Sequence, residues 1–267
     1  MTGIFRTAIL FTACCAMSEF GYAQSVARST DTSKNIQHTF APLKTKGPKP
    51  ISHELSAGIR ANTNGGSGFI DIGRIKSKDI KHSDMFYNIR FWQIELTEKQ
   101  SPKEKKSTSQ NGNKYKYGKI NNFFALKLGR GYTKMIAGKP DPGSVSIHWI
   151  YAGGLSVGML KPYYLNVYSD PNAIKYDEGH KDDFLNQYMI EGNTGPFKGL
   201  NEIKFIPGFH LKSALHFDFS ANRKSVLGVE AGVNFEYYSQ QIQLMANQPA
   251  TAYFADMYVS LQFGKRW

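Results

Sequence analysis

The sequence predicts an all-β fold: a closed antiparallel up-and-down transmembrane β-barrel of about eight strands. Three observations carry this. First, the last third holds three runs that alternate with a strict two-residue beat, which puts successive side chains on opposite faces of a sheet. Tyr253, Ala255, Met257, Val259, Leu261 and Phe263 share one face; Asp256, Ser260, Gln262 and Gly264 take the other. Leu227, Val229, Ala231, Val233, Phe235 and Tyr237 oppose Gly228, Glu230, Gly232, Asn234 and Glu236. Phe209, Leu211, Leu215, Phe217 and Phe219 oppose His210, Lys212, His216 and Asp218. Second, the runs are long, carry aromatics near their ends, and stop on an aromatic last residue, as membrane barrels do; Phe263 and Trp267 are the candidate assembly signal. Third, no stretch beyond the N-terminal segment is long and apolar enough for a transmembrane helix, which leaves a closed barrel as the spanning solution.

The N-terminus predicts export. Arg6 precedes an apolar stretch from Thr7 to Met17, and Gly21-Tyr22-Ala23 offers small residues where a signal peptidase reads. The expected signal peptide is 1–23, too short to span a bilayer. Lipoprotein processing at Cys14 is the rival, on a poor lipobox (Phe11-Thr12-Ala13-Cys14). Both cysteines, Cys14 and Cys15, fall inside the signal, so the mature chain has no disulfide, thiolate metal site or cysteine nucleophile. Loss of one cation and one anion leaves 32 − 20, still +12. That charge favours acidic partners. For an exported chain these are lipid phosphates or an acidic protein, not nucleic acid. Residues 24–52 are polar and basic with Pro42, Pro48 and Pro50, an expected disordered periplasmic tether.

The barrel is expected over 53–267. The first strand, about His53 to Asn62, faces Leu55, Ala57, Ile59 and Ala61 one way. Thr63 to Ser67 is a turn signal, and the second strand is about Gly68 to Ile75. The third, about Met85 to Leu96, crowds Phe86, Tyr87, Phe91 and Trp92, and its phase slips between Phe91 and Trp92, which suggests a bulge. Thr97 to Lys119 is a polar insertion with seven lysines and two glutamates. The fourth strand is about Asn122 to Tyr132; a connection around Pro140 to Gly143 leads to the fifth, about Ser144 to Met159, with a small face of Ala152, Gly154, Ser156 and Gly158. The largest insertion, about Ser169 to Ile203, is expected to hold a short helix near Asp182 to Ile190. With the N-terminus in the periplasm, the two longest connections are both external, the asymmetry expected of such barrels.

An eight-stranded barrel is filled by side chains rather than water. The faces predict an interior polar network of Glu54, Arg60, Asp71, Arg90, Lys127, His210, Lys212, His216, Asp218, Glu230, Glu236 and Asp256. Unpaired charges there are costly, so mutual pairing is expected. A diffusion pore is accordingly disfavoured.

The closing Gln262-Phe263-Gly264-Lys265-Arg266-Trp267, the stretch Asp84-Met85-Phe86-Tyr87-Asn88-Ile89-Arg90 and the run Gly153-Gly154-Leu155-Ser156 resemble the small outer-membrane barrel proteins of Bacteroidota. The resemblance spans the mature barrel. It implies an outer-membrane location in a Gram-negative bacterium and no shared catalytic motif.

Candidates for chemistry are His148, His210 and His216. A lipid A-modifying enzyme would need an imidazole beside a hydroxyl and an orienting acid, placed toward the bilayer. The histidines fall on the interior face, and Ser213, which faces out, lacks an outward histidine. Asp170, Asn172, Asp177, Glu178, Asp182 and Asp183 form an acidic insertion without EF-hand spacing, and no histidine pair has zinc-ligand spacing; no metal or cofactor is expected. Lys99, Lys103, Lys105, Lys106, Lys114, Lys116 and Lys119, with Tyr115 and Tyr117 among them, form the expected external basic loop, suited to lipopolysaccharide phosphates or an acidic partner. The leading expectation is a non-enzymatic scaffold or interaction barrel, an accessory subunit of a secretion or assembly machine being one form of it. The alternatives are a lipid A-modifying enzyme and a soluble periplasmic ligand-binding barrel.

Overall fold

The structure, a computed structural model, describes residues 51–77, 87–139, 143–222 and 224–267. The expected signal peptide and the tether, apart from Ile51 and Ser52, lie outside the described residues, as do Asp84 to Phe86.

Among the described residues thirteen strands, one short α-helix and a 3-10 turn at Leu200–Glu202 follow in chain order: β1 (His53–Asn62), β2 (Gly65–Ser77), β3 (Tyr87–Lys99), β4 (Lys106–Thr108), β5 (Lys114–Lys116), β6 (Asn121–Ala137), β7 (Ser146–Pro162), β8 (Tyr164–Val167), β9 (Asp170–Lys175), α1 (Lys181–Leu185), β10 (Ile190–Asn193), β11 (Lys204–Asp218), β12 (Ser225–Ile242) and β13 (Thr251–Arg266). Eight of these close into an antiparallel barrel in the order β1-β13-β12-β11-β7-β6-β3-β2. Each barrel strand pairs with its predecessor in the chain, and β1 closes on β13 from Glu54↔Arg266 to Asn62↔Tyr258, so no edge is left open. The remaining strands lie in connections: a β4–β5 hairpin and a three-stranded sheet, β10-β8-β9.

The alternation of the sequence becomes the two faces of the wall. Leu155, Leu211, Val233, Met257 and Leu261 stay exposed on the outside, whereas Glu230, Glu236, Lys127 and Asp218 are buried within. A continuous apolar outer surface on this scale is not tolerated in water. Around a closed barrel it is the face that meets lipid, and aromatics flank it: Phe217, Phe263 and Trp267 at one end, Phe205, Tyr237 and Tyr253 at the other. The molecule is an outer-membrane-type β-barrel, and this topology supports an outer-membrane location. A soluble periplasmic barrel does not fit that exposed belt.

Two details differ from the expected strands. Only Thr63 and Asn64 turn the chain between β1 and β2; Gly65, Gly66 and Ser67 already pair with β1 and β3. Gly65 has φ +145°, and a Cβ there would sit 2.0 Å from the Glu98 carbonyl oxygen, so only glycine lets the strands approach this closely. β3 carries no bulge: its register runs unbroken from Tyr87 to Lys99 against β2. Phe91 points in and Trp92 out, and the inner phase continues through Gln93, Glu95, Thr97 and Lys99. Room for the Phe91 ring comes from Gly131 on β6, where a Cβ would lie 2.2 Å from it.

The long connections between β3 and β6 and between β7 and β11 leave one end of the barrel, joined there by the β12–β13 connection. That end is called the loop end below. The opposite end holds the described connecting residues 138–139, 143–145, 219–222 and 224.

Candidate functional site: a filled lumen and a folded cap

Inside the barrel, β12 lays Glu230, Asn234 and Glu236 along one line because every second residue faces in. β3, β6, β11, β13 and β1 supply the cations and acids opposite. Lys99 lies 2.5 Å from Asp256 and 2.9 Å from Glu236. Lys127 lies 2.5 Å from Glu236 and 3.0 Å from Glu95. Arg60 pairs with Glu95 and stands 3.6 Å from Glu230, which Lys212 approaches to 3.3 Å. Asp256, Lys99, Glu236, Lys127, Glu95, Arg60, Glu230 and Lys212 thus alternate in sign along one connected chain, four anions against four cations. Tyr238 donates to Glu236 at 2.7 Å, and Tyr258 donates to Glu230. Arg60 also stacks between the rings of Phe69 and Tyr258, 4.7 and 4.2 Å from their centroids.

Toward the opposite end, Arg266 holds Glu54 at 2.6 Å and Asp218 at 2.7 Å, and Lys139 reaches Asp218 at 3.2 Å. Asp71 accepts from Gln93 at 2.7 Å and from Gln262 at 3.3 Å. The cavity among Glu54, Asp71, His148, His216, Gln262 and Arg266 measures about 20 Å³, room for a single water. At the loop end, Phe123, Tyr238 and Phe254 close the lumen, with Phe123 edge-on to Tyr238 at 5.0 Å. Gly158 on β7 leaves space for the Phe123 ring.

Three sequence expectations need correction. Arg90 is exposed on the outer face, not in the interior network: with no bulge in β3 it shares the phase of Trp92, Ile94 and Leu96. Lys99 is no loop residue. It ends β3 inside the lumen, 1% exposed. Lys119 is likewise buried, its ammonium donating to Glu104 at 2.9 Å. Lys103, Lys105, Lys106 and Lys114 are exposed, and Lys116 is half-buried and paired with Glu104. Burial weakens the Lys119 ammonium and lowers its pKa, against the pull of Glu104. Glu95, Gln93, Tyr238, Tyr258 and Arg266 belong to the lumen but were missed. For Gln93 and Glu95 the signal was there, a two-residue period running on past Phe91, and crowded aromatics masked it.

The histidines are brought together only in part. The His148 and His216 rings lie 6.1 Å apart between centroids, and His210 meets the Ser156 hydroxyl at 3.0 Å through Nδ1. That serine–histidine pair is inside the lumen, away from lipid. Ser213, on the outer face, accepts from the Trp149 indole at 3.0 Å. The acidic insertion does not converge. Asp177 accepts from the His180 ring at 2.8 Å and Asp183 from Ser169 at 2.9 Å; among the described residues no group of three potential metal ligands is gathered. Phe263 and Trp267 both stand on the outer face, Trp267 stacked on His53 at 6.0 Å.

At the loop end the two insertions fold on each other. Tyr115 of β5, Tyr163, Leu165 and Val167 around β8, Ile174 of β9, Phe184 of α1 and Ile190 of β10 form one buried apolar cluster. The expected helix near Asp182 to Ile190 is shorter: α1 stops at Leu185, Asn186 turns extended, and Ile190 enters β10. Tyr117 donates to the Leu185 carbonyl at 2.9 Å, and the Tyr163 hydroxyl accepts the Lys116 amide at 3.1 Å. Burial raises the Tyr163 pKa. Lys175 and Tyr164 both donate to Glu202, at 2.6 and 2.5 Å, holding its carboxyl below the usual range. The β12–β13 connection joins through Ile120 to Leu244 and Ala246 to Gly118 backbone bonds of 2.9 and 2.8 Å. We call this assembly the cap.

No family model matches the sequence, and no curated protein does. Among solved structures the chain is similar to the N-terminal β-barrel domain of Pseudomonas aeruginosa OprF, at 9% identity and TM-score 0.36, covering 81% of this chain and 97% of that one. It is similar to Neisserial surface protein A at 9% and 0.33, covering 81% and 96%, and to the outer membrane enzyme PagL at 14% and 0.27, covering 79% and 97%. Likeness at this level adds nothing to what the barrel's own hydrogen bonding establishes.

Proposed function

We propose that this protein is a non-enzymatic interaction barrel of the outer membrane, in which the barrel is a rigid mount and the cap is the part that meets a partner. The observation that carries this reading is the cap's own apolar core. A solvated loop needs no such core, whereas a surface that must keep its shape for binding does. The chain of paired charges in the lumen and the Phe123, Tyr238 and Phe254 rings across its loop end support it, and the internal position of the Ser156–His210 pair supports a role without lipid chemistry. An accessory subunit of a secretion or assembly machine is the assembly in which such a mount would serve, with the cap external.

The test is gentle extraction from outer membranes and measurement of native mass, for the wild type and for a variant in which 164–203 is replaced by a short turn. A stoichiometric partner that travels with the wild type and is lost from the variant is the expected result. A lone wild-type monomer, or a partner retained equally by both, contradicts the reading.

A further inference from the structure

Resting on the reading of the cap as a binding surface, a groove beneath it specifies one class of ligand. Its floor is the outer wall of the barrel, where Glu98, Phe124 and Met159 stand in register across β3, β6 and β7, with Asn122 beside Lys161. One side is the β4–β5 hairpin and the other is the segment from Asn193 to Ile203; the space between is about 510 Å³. Lys106, Lys114, Lys116 and Lys161 line it against one acid, Glu98.

Two features of these lysines call for an anion. Lys106 and Lys116 are direct cross-strand partners in the hairpin, and like charges so placed repel. Glu104 answers Lys116, but Lys119 shares that same carboxylate. Lys161 is 6% exposed, and its ammonium donates to the Pro196 carbonyl with no ion pair among the described residues. A buried ammonium held by a carbonyl alone is under-compensated.

The position of the groove says what the anion is attached to. Directly below the floor, Leu96, Leu126 and Val157 form the next row across the same three strands, then Ile94, Leu128 and Leu155, all exposed on the lipid-facing belt. A soluble anion would have no use for this continuity, and an acidic protein segment would have to lie against the acyl layer. We propose that the groove binds the phosphorylated head group of an outer-leaflet lipid, its phosphates among Lys106, Lys114 and Lys161 and its acyl chains along the two apolar rows.

The experiment is native mass spectrometry of the full protein in a neutral detergent, with added diphosphorylated lipid A, the same lipid stripped of its phosphates, pyrophosphate, or polyglutamate. One diphosphorylated lipid retained per chain is expected, with the dephosphorylated lipid lost. The Lys106→Gln/Lys114→Gln/Lys161→Gln variant should retain about a hundredfold less, and Lys114→Gln alone, on an exposed side chain that the fold does not need, about fivefold less. Equal retention of the dephosphorylated lipid, or no loss in Lys114→Gln, overturns the proposal. So does displacement by equimolar pyrophosphate, which would assign the groove to a free anion, or by polyglutamate, which would assign it to an acidic protein. The same spectrum separates the two readings: a retained lipid whose mass has fallen by an acyl chain or a phosphate keeps the site and refutes the non-enzymatic role. Absence of any retained lipid removes the site and leaves that role standing.

Discussion

The lumen and the cap are two cores built by one chain on opposite principles. The lumen is ionic: Lys99, Lys127 and Arg60 sit among Glu236, Glu95 and Glu230, each nearly inaccessible. The cap is apolar: Leu165, Phe184 and Ile190 are fully buried, while Lys103, Lys105, Lys106 and Lys114 face out. The solvent explains the difference. The barrel's outer wall must be apolar to meet lipid, so alternation along each strand delivers the polar residues to the inside, where they can only neutralise one another. The cap stands beyond the membrane, so the ordinary hydrophobic effect orders it. Stability should therefore respond to charge deletion in one region and to cavity formation in the other.

The largest expected effect breaks the first half of that contrast. Glu236→Gln leaves Lys99 and Lys127 sharing Asp256 and Glu95, and removing one member of a buried ionic chain costs about 3–5 kcal/mol. Urea unfolding in lipid vesicles should show the loss across the whole barrel. Leu165→Ala should cost about 2–5 kcal/mol through its cavity, confined to the cap. Limited proteolysis should then cut between 163 and 203 while the barrel keeps its heat-resistant gel mobility. Loss of both together would mean the two cores are not separable. On the outer wall, Leu155→Lys, at a position 72% exposed, should destabilise by about 2–4 kcal/mol in a bilayer and be tolerated in water-rich detergent; a lysine accepted equally in both would move the membrane off this belt.

The smallest effect is a pH dependence of the cap. Hydrogen bonds from Lys175 and then Tyr164 lower the Glu202 pKa below its ordinary glutamate value. A depressed carboxyl contributes fully above the unfolded value, fades as pH falls below it, and is lost beneath the folded value. The Lys175 and Glu202 side chains are 41% and 36% exposed, so the contribution is about 0.2–1 kcal/mol. Hydrogen exchange near 164–175 should quicken on acidification below about pH 4.5, and Glu202→Gln should flatten that response.

How much was legible follows from the same contrast. β11, β12 and β13 could be read residue by residue because one face is apolar and the other polar, so the phase is visible without neighbours. β3 could not, since Phe91 inside and Trp92 outside are both aromatic and the alternation vanishes at that point. Arg90 was misplaced for this reason. Lys99 was read as a loop cation because a lysine beside Gln100 and Ser101 looks solvated; only the approach of Glu236 and Asp256 from distant strands makes it a core residue. Of the cap, only the short helix was legible, and its end was misplaced. Tyr115 and Ile190 come from separate insertions, and neither segment shows a period that would announce a shared core. The four lysines of the groove share that origin, since Lys161 belongs to a barrel strand and the others to a hairpin.

Conductance of the purified protein in a planar bilayer tests most directly the claim that the lumen is a packed ionic core rather than a path. A silent membrane is expected, with no discrete steps at moderate voltage, both for the wild type and for the variant lacking 164–203, because side chains of the barrel itself, rather than the cap, close the interior. Regular ohmic steps from the wild type would contradict it.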